Sequence, residues 1–217
     1  MVSDKLNICY ISFDFDSDIK MNPAQFRGFM AHVFSNVSEF HHHSENSYHY
    51  PLVQYKRIDK KLAIVGIGEY AKMVSQNMPN MDHITTENQK IPLHNIQIKN
   101  IVFTRESKNC MYRFVSPWIA LNESNYEKYK KLGKIEKKKL LEQILVGNIL
   151  SMFKGLGIFV TDKIEVIILR QISKPIVVHE NKFVGFKTDF VSNTSIPEFL
   201  GLGKSVSKGF GTIRKMP

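Results

Sequence analysis

The chain has 217 residues, of which 43% are hydrophobic, enough for one large domain or two small ones with cores of their own. Thirty Lys and Arg residues against twenty Asp and Glu give a formal net charge of +10, which favours a polyanionic partner and argues against an acidic scaffold. We find no signal sequence and no apolar run of bilayer length, so we expect a cytoplasmic protein without a membrane partner. Cys9 and Cys110 lie far apart and fit no metal pattern, which predicts reduced core thiols.

The first half of the chain alternates between strand and helix patterns. Alternating residues predict a strand at 5–15, and Asn22-Pro23 caps an amphipathic helix that ends near residue 37. A polar, histidine-rich loop then leads into strands at 52–58 and 62–67, joined by a hairpin turn at Asp59-Lys60. A shorter helix at 68–77, a polar loop at 80–89 and a long strand at 91–104 complete the order βαββαβ. This is the order of a ferredoxin-like domain.

The second half resembles a weaker copy of the same pattern. The segment at 106–109 is polar, and we predict the domain boundary there, with domains at 1–107 and 108–217. A strand at 112–119 and a helix that ends at Gly155 and Gly157 precede strands near 165–171, 176–178 and 182–189. The predicted fold class is therefore α+β, with two ferredoxin-like, RNA-recognition-like βαββαβ halves in tandem, the second degenerate, and a glycine-rich loop at the C-terminal end.

A dense run of lysines opens the helix of the second half. Seven lysines occur between residues 127 and 139, with two glutamates, Glu127 and Glu136, among them. Such a run is most often an ordinary solvated helix face. An RNA-binding role gains support only if this face adjoins the glycine-rich loop.

Residues 201–211 have the sequence Gly-Leu-Gly-Lys-Ser-Val-Ser-Lys-Gly-Phe-Gly. Glycines allow left-handed backbone and close approach to a ligand, and we expect backbone N–H groups here to donate hydrogen bonds to phosphate. A nucleotide-binding P-loop is excluded, because its motif needs a glycine where Glu198 stands and a helix after Lys204-Ser205. The candidate RNA-binding residues of this segment are Gly201, Gly203, Lys204, Ser205, Ser207, Lys208, Gly209, Gly211 and the following Arg214. A plain glycine-rich turn is the alternative.

These residues resemble a known family. The glycine-rich segment looks like the signature loop of the CRISPR-associated endoribonucleases that cut repeat transcripts into guide RNAs. Phe40-His-His-His, followed by Tyr-Pro-Leu-Val-Gln-Tyr-Lys at 50–56, resembles the branch in which a His-x-His pair precedes a strand of that sequence. By this resemblance the pair falls on His41 and His43, and the functional tyrosine on Tyr50. The resemblance implies CRISPR repeat RNA as substrate and delivery of the product to a guide-RNA surveillance complex.

The histidine loop suits cleavage of RNA by its own 2′-hydroxyl. That reaction needs a base, an acid and positive charge at the phosphate, and histidine serves in both roles because its ordinary pKa is about 6.5. Alternate residues of an extended segment share a face, so we assign His41 and His43 as the acid–base pair, while His42 leaves the register open. Tyr50 would hydrogen-bond the phosphate or the 2′-hydroxyl, and Lys56 would contact backbone phosphates. We expect no metal or other cofactor, and products with 2′,3′-cyclic phosphate and 5′-hydroxyl ends.

Two alternatives stay open at this point. His41, His43, Glu45 and His49 could instead form a divalent metal site. A protein of the same fold could also bind RNA through these residues without cutting it. A monomer and a homodimer are both compatible with the sequence.

Overall fold

The computed structural model describes residues 5–16, 19–34, 49–86, 89–178 and 180–217. The chain divides into two compact units. Unit 1 runs to Thr104 and includes Ser207–Gly209, whereas unit 2 consists of Arg105–Val206 and Phe210–Pro217. Each unit holds one antiparallel sheet with helices, so the predicted α+β class is confirmed.

Unit 1 has the βαββαβ order that the sequence predicts, with one additional strand. Its elements are β1 (Lys5–Phe15), α1 (Pro23–Val33), β2 (Val53–Ile58), β3 (Lys61–Ile67), α2 (Glu69–Asn77), β4 (His83–Thr85) and β5 (Lys90–Thr104). The strand order is β2-β3-β1-β5-β4, and all neighbours are antiparallel. Without β4 this is the strand arrangement of a ferredoxin-like domain.

Local sequence explains where the first helix and hairpin form. The Asn22 side chain accepts hydrogen bonds from the backbone N–H groups of Ala24 and Gln25, both at 2.9 Å, and the Gln25 side chain accepts from the Asn22 N–H. This is a capping box, which starts α1 where predicted. Asp59 and Lys60 both have positive φ, 50° and 68°, as a tight two-residue hairpin between β2 and β3 requires.

The prediction of a plain loop at 80–89 is wrong for part of its length. Strand β4 pairs with the start of β5, with Ile84 opposite Ile91. Both isoleucines are buried, which explains why three residues suffice to form a strand. One apolar residue between polar neighbours is too short a pattern to be recognised in the sequence. The end of the predicted helix at 35–37 lies outside the described residues.

The core of unit 1 lies between the helices and one face of its sheet. Phe26 of α1 contacts Phe13 of β1 and Tyr55 of β2 edge to face, with ring centroids 5.6 and 5.7 Å apart. Met30 of α1 and Val74 of α2 fill the same core and are fully buried. Tyr55 is therefore a core residue, and β2 is fixed against α1.

Unit 2 repeats the strand order of unit 1 with fewer elements. Its elements are β6 (Cys110–Phe114), α3 (Glu123–Lys131), α4 (Lys134–Gly155), β7 (Val166–Val178), β8 (Asn181–Ser192) and β9 (Ile213–Lys215). The sheet order is β7-β8-β6-β9. Strands β6, β7, β8 and β9 therefore occupy the positions that β1, β2, β3 and β5 have in unit 1. The second helix of a ferredoxin-like domain is replaced by residues 193–212, which hold one 3-10 turn. This is the degenerate second copy that the sequence indicates.

Two strand predictions for unit 2 need correction. Strand β6 ends at Phe114 rather than 119, and Trp118 forms only an isolated bridge with Phe186. The two short strands predicted at 165–171 and 176–178 are one strand, β7, which continues through Pro175. Proline is tolerated there because β7 lies at the edge of the sheet, where one side of the strand needs no ladder partner.

Both cysteines are buried and free, in agreement with the prediction of reduced core thiols. Burial raises the pKa of the Cys9 thiol to about 11, so it stays protonated at neutral pH. None of the helices among the described residues is long and apolar enough to cross a membrane.

Candidate functional site

The predicted catalytic residues precede β2 of unit 1. His41 and His43 lie outside the described residues. Tyr50 is half-buried and His49 is exposed. The Gln54 side chain donates a hydrogen bond to the Pro51 carbonyl at 2.9 Å, which holds the chain between Tyr50 and the first paired residue, Val53. Tyr50 is thus attached directly to a strand whose position is set by the core.

Lys56 occupies a different environment from the one predicted. Its side chain is fully buried on β2, and this burial lowers the pKa of the amine to about 7. Desolvation penalises the charged form, so the amine loses its proton more readily than it does in water. A buried amine reaches an RNA phosphate only if its surroundings rearrange, and the phosphate-binding role of Lys56 stays a prediction.

The larger part of the glycine-rich segment is packed within unit 2. Gly203 has φ of +91°, and a Cβ there would lie 2.7 Å from the Ile119 carbonyl oxygen and 2.8 Å from the Trp118 indole. Gly201 and Gly211 are buried. A positive φ combined with backbone this close requires glycine. The segment is therefore an ordered loop fitted against Trp118.

Several backbone donors of this loop are already used. The Lys204 N–H donates to the Ile119 carbonyl at 3.2 Å, and the Gly211 N–H donates to the Pro117 carbonyl at 2.8 Å. The expectation that loop amides face a phosphate is therefore wrong at these two positions. What the loop presents outward is side chains, since Lys204 is exposed and Ser205 is half-buried.

The tip of the glycine-rich segment, Ser207–Gly209, belongs to unit 1. Arg27 of α1 donates from Nη1 to the Ser207 Oγ at 3.5 Å. Gly209 has φ of +87°, and a Cβ there would lie 2.5 Å from the Pro23 side chain and 3.1 Å from the Tyr55 carbonyl oxygen. The tip thus lies against the first turns of α1 and the middle of β2. These are the two elements that flank the predicted histidine segment.

Arg27 is a candidate phosphate-binding residue that the sequence analysis missed. It is half-buried beside the loop tip, and its charge acts on the Tyr55 hydroxyl, whose pKa burial raises and Arg27 lowers. A guanidinium offers several donors, so one hydrogen bond to Ser207 leaves others for a phosphate. No sequence signal marks Arg27, because it is a single basic residue in an amphipathic helix.

Arg214 stands on β9 of unit 2. Its guanidinium lies over the Phe199 ring at 5.8 Å from the centroid, and the side chain is half-buried. The ring orients the planar guanidinium. An oriented guanidinium suits a phosphate or base contact better than a freely rotating one.

The lysine run lies on α3 and the first two turns of α4. Tyr129 of α3 packs edge to face on Phe186 at 5.8 Å, and Phe186 contacts Trp118 at 5.9 Å. Trp118 is the residue that Gly203 fits against. The lysine-bearing helices are therefore connected to the glycine-rich loop through a continuous aromatic chain within unit 2.

The metal alternative draws on residues that the structure describes only in part. Among the described residues, no group of three or more His, Cys, Asp or Glu side chains is placed to hold a metal ion. His41, His43 and Glu45 lie outside those residues, and His49 alone of that set is described.

Comparison with protein families accounts for nearly the whole chain. The family model for the Cas6b N-terminal domain matches residues 4–104, and the model for the Cas6b C-terminal domain matches residues 104–216. The chain belongs to the Cas6b family. The junction of the two Cas6b domain matches falls where unit 1 passes into unit 2.

Solved structures agree with this Cas6b membership. A crystal structure titled Cas6b is 30% identical, with a TM-score of 0.88, and the match covers 98% of this chain and 100% of that one. A second, titled CRISPR RNA processing endoribonuclease Cas6b, is 29% identical, with a TM-score of 0.76 and the same coverage. An uncharacterized protein of Methanocaldococcus jannaschii is 51% identical over 102 residues, which are 47% of this chain and 69% of that protein.

Proposed function

We propose that this protein is an endoribonuclease that cleaves CRISPR repeat transcripts into guide RNAs. The observation that carries the proposal is the match of the two Cas6b domain models to residues 4–216. A relative that matches 98% of this chain is titled a CRISPR RNA processing endoribonuclease. We further place the chain in the branch with a His-x-His pair before a Tyr-Pro-Leu-Val-Gln-Tyr-Lys strand, on the residues at 41–43 and 50–56.

In the proposed reaction the RNA supplies its own nucleophile. One histidine of the His41–His43 pair removes the proton from a 2′-hydroxyl, and the 2′-oxygen attacks the adjacent phosphorus. The bond from phosphorus to the 5′-oxygen breaks, and the other histidine protonates that oxygen. The products are a 2′,3′-cyclic phosphate and a 5′-hydroxyl, and both histidines return to their starting states by proton exchange with water.

Tyr50 is proposed to position the reacting group. It stands three residues before β2, on a segment held by the Gln54 side chain, and a group held in place orients a reactant better than a mobile one. A neutral phenol donates a hydrogen bond to a phosphate oxygen or accepts one from the 2′-hydroxyl. Its contribution is therefore orientation and charge stabilisation, with no proton transferred.

Positive charge on the RNA backbone is proposed to come from side chains. Within unit 1, Arg27, Ser207 and Lys208 lie at the loop tip, and such fixed cations stabilise the charge that develops on the cleaved phosphate. Within unit 2, Lys204 is exposed and Arg214 is oriented by Phe199, and these two are proposed to bind other backbone phosphates. Every step above is assigned to a side chain or to the RNA, so the proposal includes no metal.

The decisive experiment is cleavage of the cognate repeat RNA in excess EDTA. A matched substrate carries one 2′-deoxy nucleotide at the cut site. We expect the all-ribose RNA to be cut and the substituted RNA to remain intact, with cyclic phosphate ends detected on the product. Binding without cleavage, with or without added metal, would instead identify a non-catalytic RNA-binding protein. Cleavage that returns only with metal would support the histidine metal site.

A further inference from the structure

The basic region of unit 2 combines lysines with tyrosines on one pair of helices. Residues 123–139 contain seven lysines and three glutamates. We define the Lys–Tyr face as the residues of α3 and the start of α4 that carry this charge and these rings: Tyr126, Lys128, Tyr129, Lys130, Lys131, Lys134 and Lys137. All of them are exposed or half-buried.

Core packing does not explain why α3 is a helix. None of its nine residues is buried, although most helices in proteins are stabilised by burying an apolar face. The helix is stabilised at its start, where the Asn122 side chain accepts from the Asn125 N–H at 2.7 Å. It contacts the body of unit 2 through Tyr129 and the ring of Phe186. A helix with so little core contact is a surface element.

Most lysines of this face are not engaged in ion pairs with other described residues. Lys130 pairs with Glu127 at 2.7 Å. For Lys128, Lys131 and Lys134, no ion pair occurs among the residues that the structure describes. Three exposed ammonium groups on two consecutive helices form a positively charged surface. Phosphates that bind such a surface release counterions, which makes the association favourable and sensitive to salt.

The two tyrosines already bind cations through their rings. The Lys130 ammonium lies 5.1 Å from the Tyr126 ring centroid, and the Lys137 ammonium lies 5.1 Å from that of Tyr129. Tyr126 is 40% exposed. Each ammonium covers one face of its ring, so a base can stack on Tyr126 only from the opposite face, with a phosphate near the cation.

The face is linked to the glycine-rich loop through the core of the same unit. Tyr129 contacts Phe186, and Phe186 contacts Trp118. The Trp118 indole also donates to the Asn148 side chain of α4 at 2.9 Å, and Gly203 fits against it. The helices and the loop that carries exposed Lys204 are therefore parts of one packed body. The position of the helices relative to this loop is therefore fixed by core packing.

We propose that the Lys–Tyr face binds a single-stranded segment of the substrate RNA away from the cleaved phosphate, with a base stacked on Tyr126. The identity of this RNA as a CRISPR repeat rests on the proposed function. Single-stranded RNA is favoured over duplex, because a tyrosine platform needs an unpaired base. The face therefore contributes affinity and register on the RNA, and it takes no part in the chemical step.

The test removes charge from the face without touching the loop. The variant carries Lys128→Gln, Lys131→Gln and Lys134→Gln, and its affinity for single-stranded repeat RNA is measured over a series of salt concentrations. We expect binding at least about tenfold weaker, and a slope of log affinity against log salt reduced by about 2, since each phosphate contact to single-stranded RNA contributes about 0.7. Unchanged affinity and slope would overturn the inference.

A matched control removes the same charge from unit 1. Lys20, Lys72 and Lys90 are exposed there, and their triple replacement by glutamine should change the slope by less than half as much. Equal losses of RNA affinity in both variants would show that binding depends only on net charge, which also overturns the inference. Both variants replace exposed side chains, so melting temperatures should equal that of the wild type.

The stacking contact has its own test. Tyr126→Ala should lower affinity several-fold and abolish ultraviolet crosslinking of RNA to the peptide 123–131, whereas Tyr126→Phe should retain both. Equal binding by the alanine and phenylalanine variants, or binding of duplex in preference to single strands, would contradict the stacked-base arrangement.

A short RNA separates this inference from the proposed function. An RNA limited to the nucleotides around the cut site should be cleaved equally by the wild type and by the triple variant of the face. If the wild type cuts no RNA but the triple variant still loses affinity, the proposed cleavage fails and the binding face stands. If the wild type cuts while the triple variant binds full-length repeat normally, the proposed cleavage stands and the binding face is refuted.

Discussion

Arg27 of α1 and Ser207 of the glycine-rich segment form a hydrogen bond at 3.5 Å, although 180 positions separate them in the chain. The contact lies within unit 1. It places the tip of the segment beside the helix that leads into the predicted histidine segment. A cation, a hydroxyl and Gly209 are thereby brought together next to the elements proposed to carry the chemistry.

Arg27→Ala should weaken RNA binding more than it destabilises the fold. The bond to Ser207 is long and partly exposed, so its loss should cost no more than about 1 kcal/mol of unfolding free energy. Loss of a guanidinium from the phosphate should raise the dissociation constant for repeat RNA by about tenfold or more. Titration of RNA binding and urea unfolding measure the two effects.

Arg57→Ala is the matched control for Arg27. The Arg57 guanidinium donates to the carbonyls of Ile19 and Met21 at 2.6 and 2.8 Å, so its removal leaves partly buried acceptors without a partner and should cost about 1–3 kcal/mol of stability. Folded Arg57→Ala protein should bind RNA like the wild type. If Arg27→Ala also loses stability while it binds RNA like the wild type, Arg27 stabilises the fold and does not bind RNA.

The double variant His41→Ala, His43→Ala should bind RNA normally and fail to cut it. Each histidine is proposed to transfer a proton in the reaction, and loss of one such group typically costs 10²–10⁴ in rate. Single-turnover cleavage and filter binding separate the two readouts. His94→Ala is the control, since the His94 side chain is 74% exposed at β5 and pairs only weakly with Asp16. Wild-type cleavage by the double variant would refute the catalytic assignment.

Substitutions at the neighbouring residues Gly203 and Lys204 should have different effects on stability and on RNA affinity. Gly203→Ala places a Cβ against the Ile119 carbonyl at a φ that favours glycine, and should lower stability by roughly 1–3 kcal/mol. Lys204→Gln changes an exposed side chain while its N–H keeps the bond to Ile119, so the melting temperature should hold and RNA affinity should fall several-fold. Thermal melting and RNA titration on both variants check this. A destabilised Lys204→Gln protein would contradict the assignment of its side chain to RNA.

The buried amine of Lys56 should make the fold more stable as pH rises from 7 towards 10. Burial lowers its pKa from 10.5 to about 7. Between those values the unfolded chain holds the proton and the folded protein does not, so stability rises with pH by at most about 1.4 kcal/mol per unit. Below pH 7 both states are protonated and the slope from Lys56 disappears.

Urea unfolding between pH 7 and 8 tests the role of Lys56. This window lies below the range in which Cys9 titrates, since its thiol pKa changes from 9.0 to about 11 on folding. Lys56→Met removes the amine from the same buried position, and its stability should be nearly independent of pH there. An equal slope in the wild type and in Lys56→Met would show that Lys56 remains charged in the folded protein.

Local features of the sequence were enough to predict much of the fold. Alternation at 5–15 and helical spacing after Asn22-Pro23 depend only on neighbouring residues, and so does the turn at Asp59-Lys60. Those elements occur where expected. The prediction of two strands at 165–171 and 176–178 is wrong, since β7 continues through Pro175. A proline is disfavoured in a central strand and tolerated at an edge. Which strand lies at the edge depends on the strand order of the whole sheet.

The sequence by itself determined the order of elements, the excess of positive charge and the family, since these are properties of residue type and spacing. Only the tertiary structure decided that Lys56 is buried, that the Lys204 and Gly211 amides are occupied, and that Arg27 reaches Ser207. Burial and hydrogen-bond partners depend on which distant segments a residue meets. Those meetings follow from sheet order and strand register, which no short stretch of sequence contains.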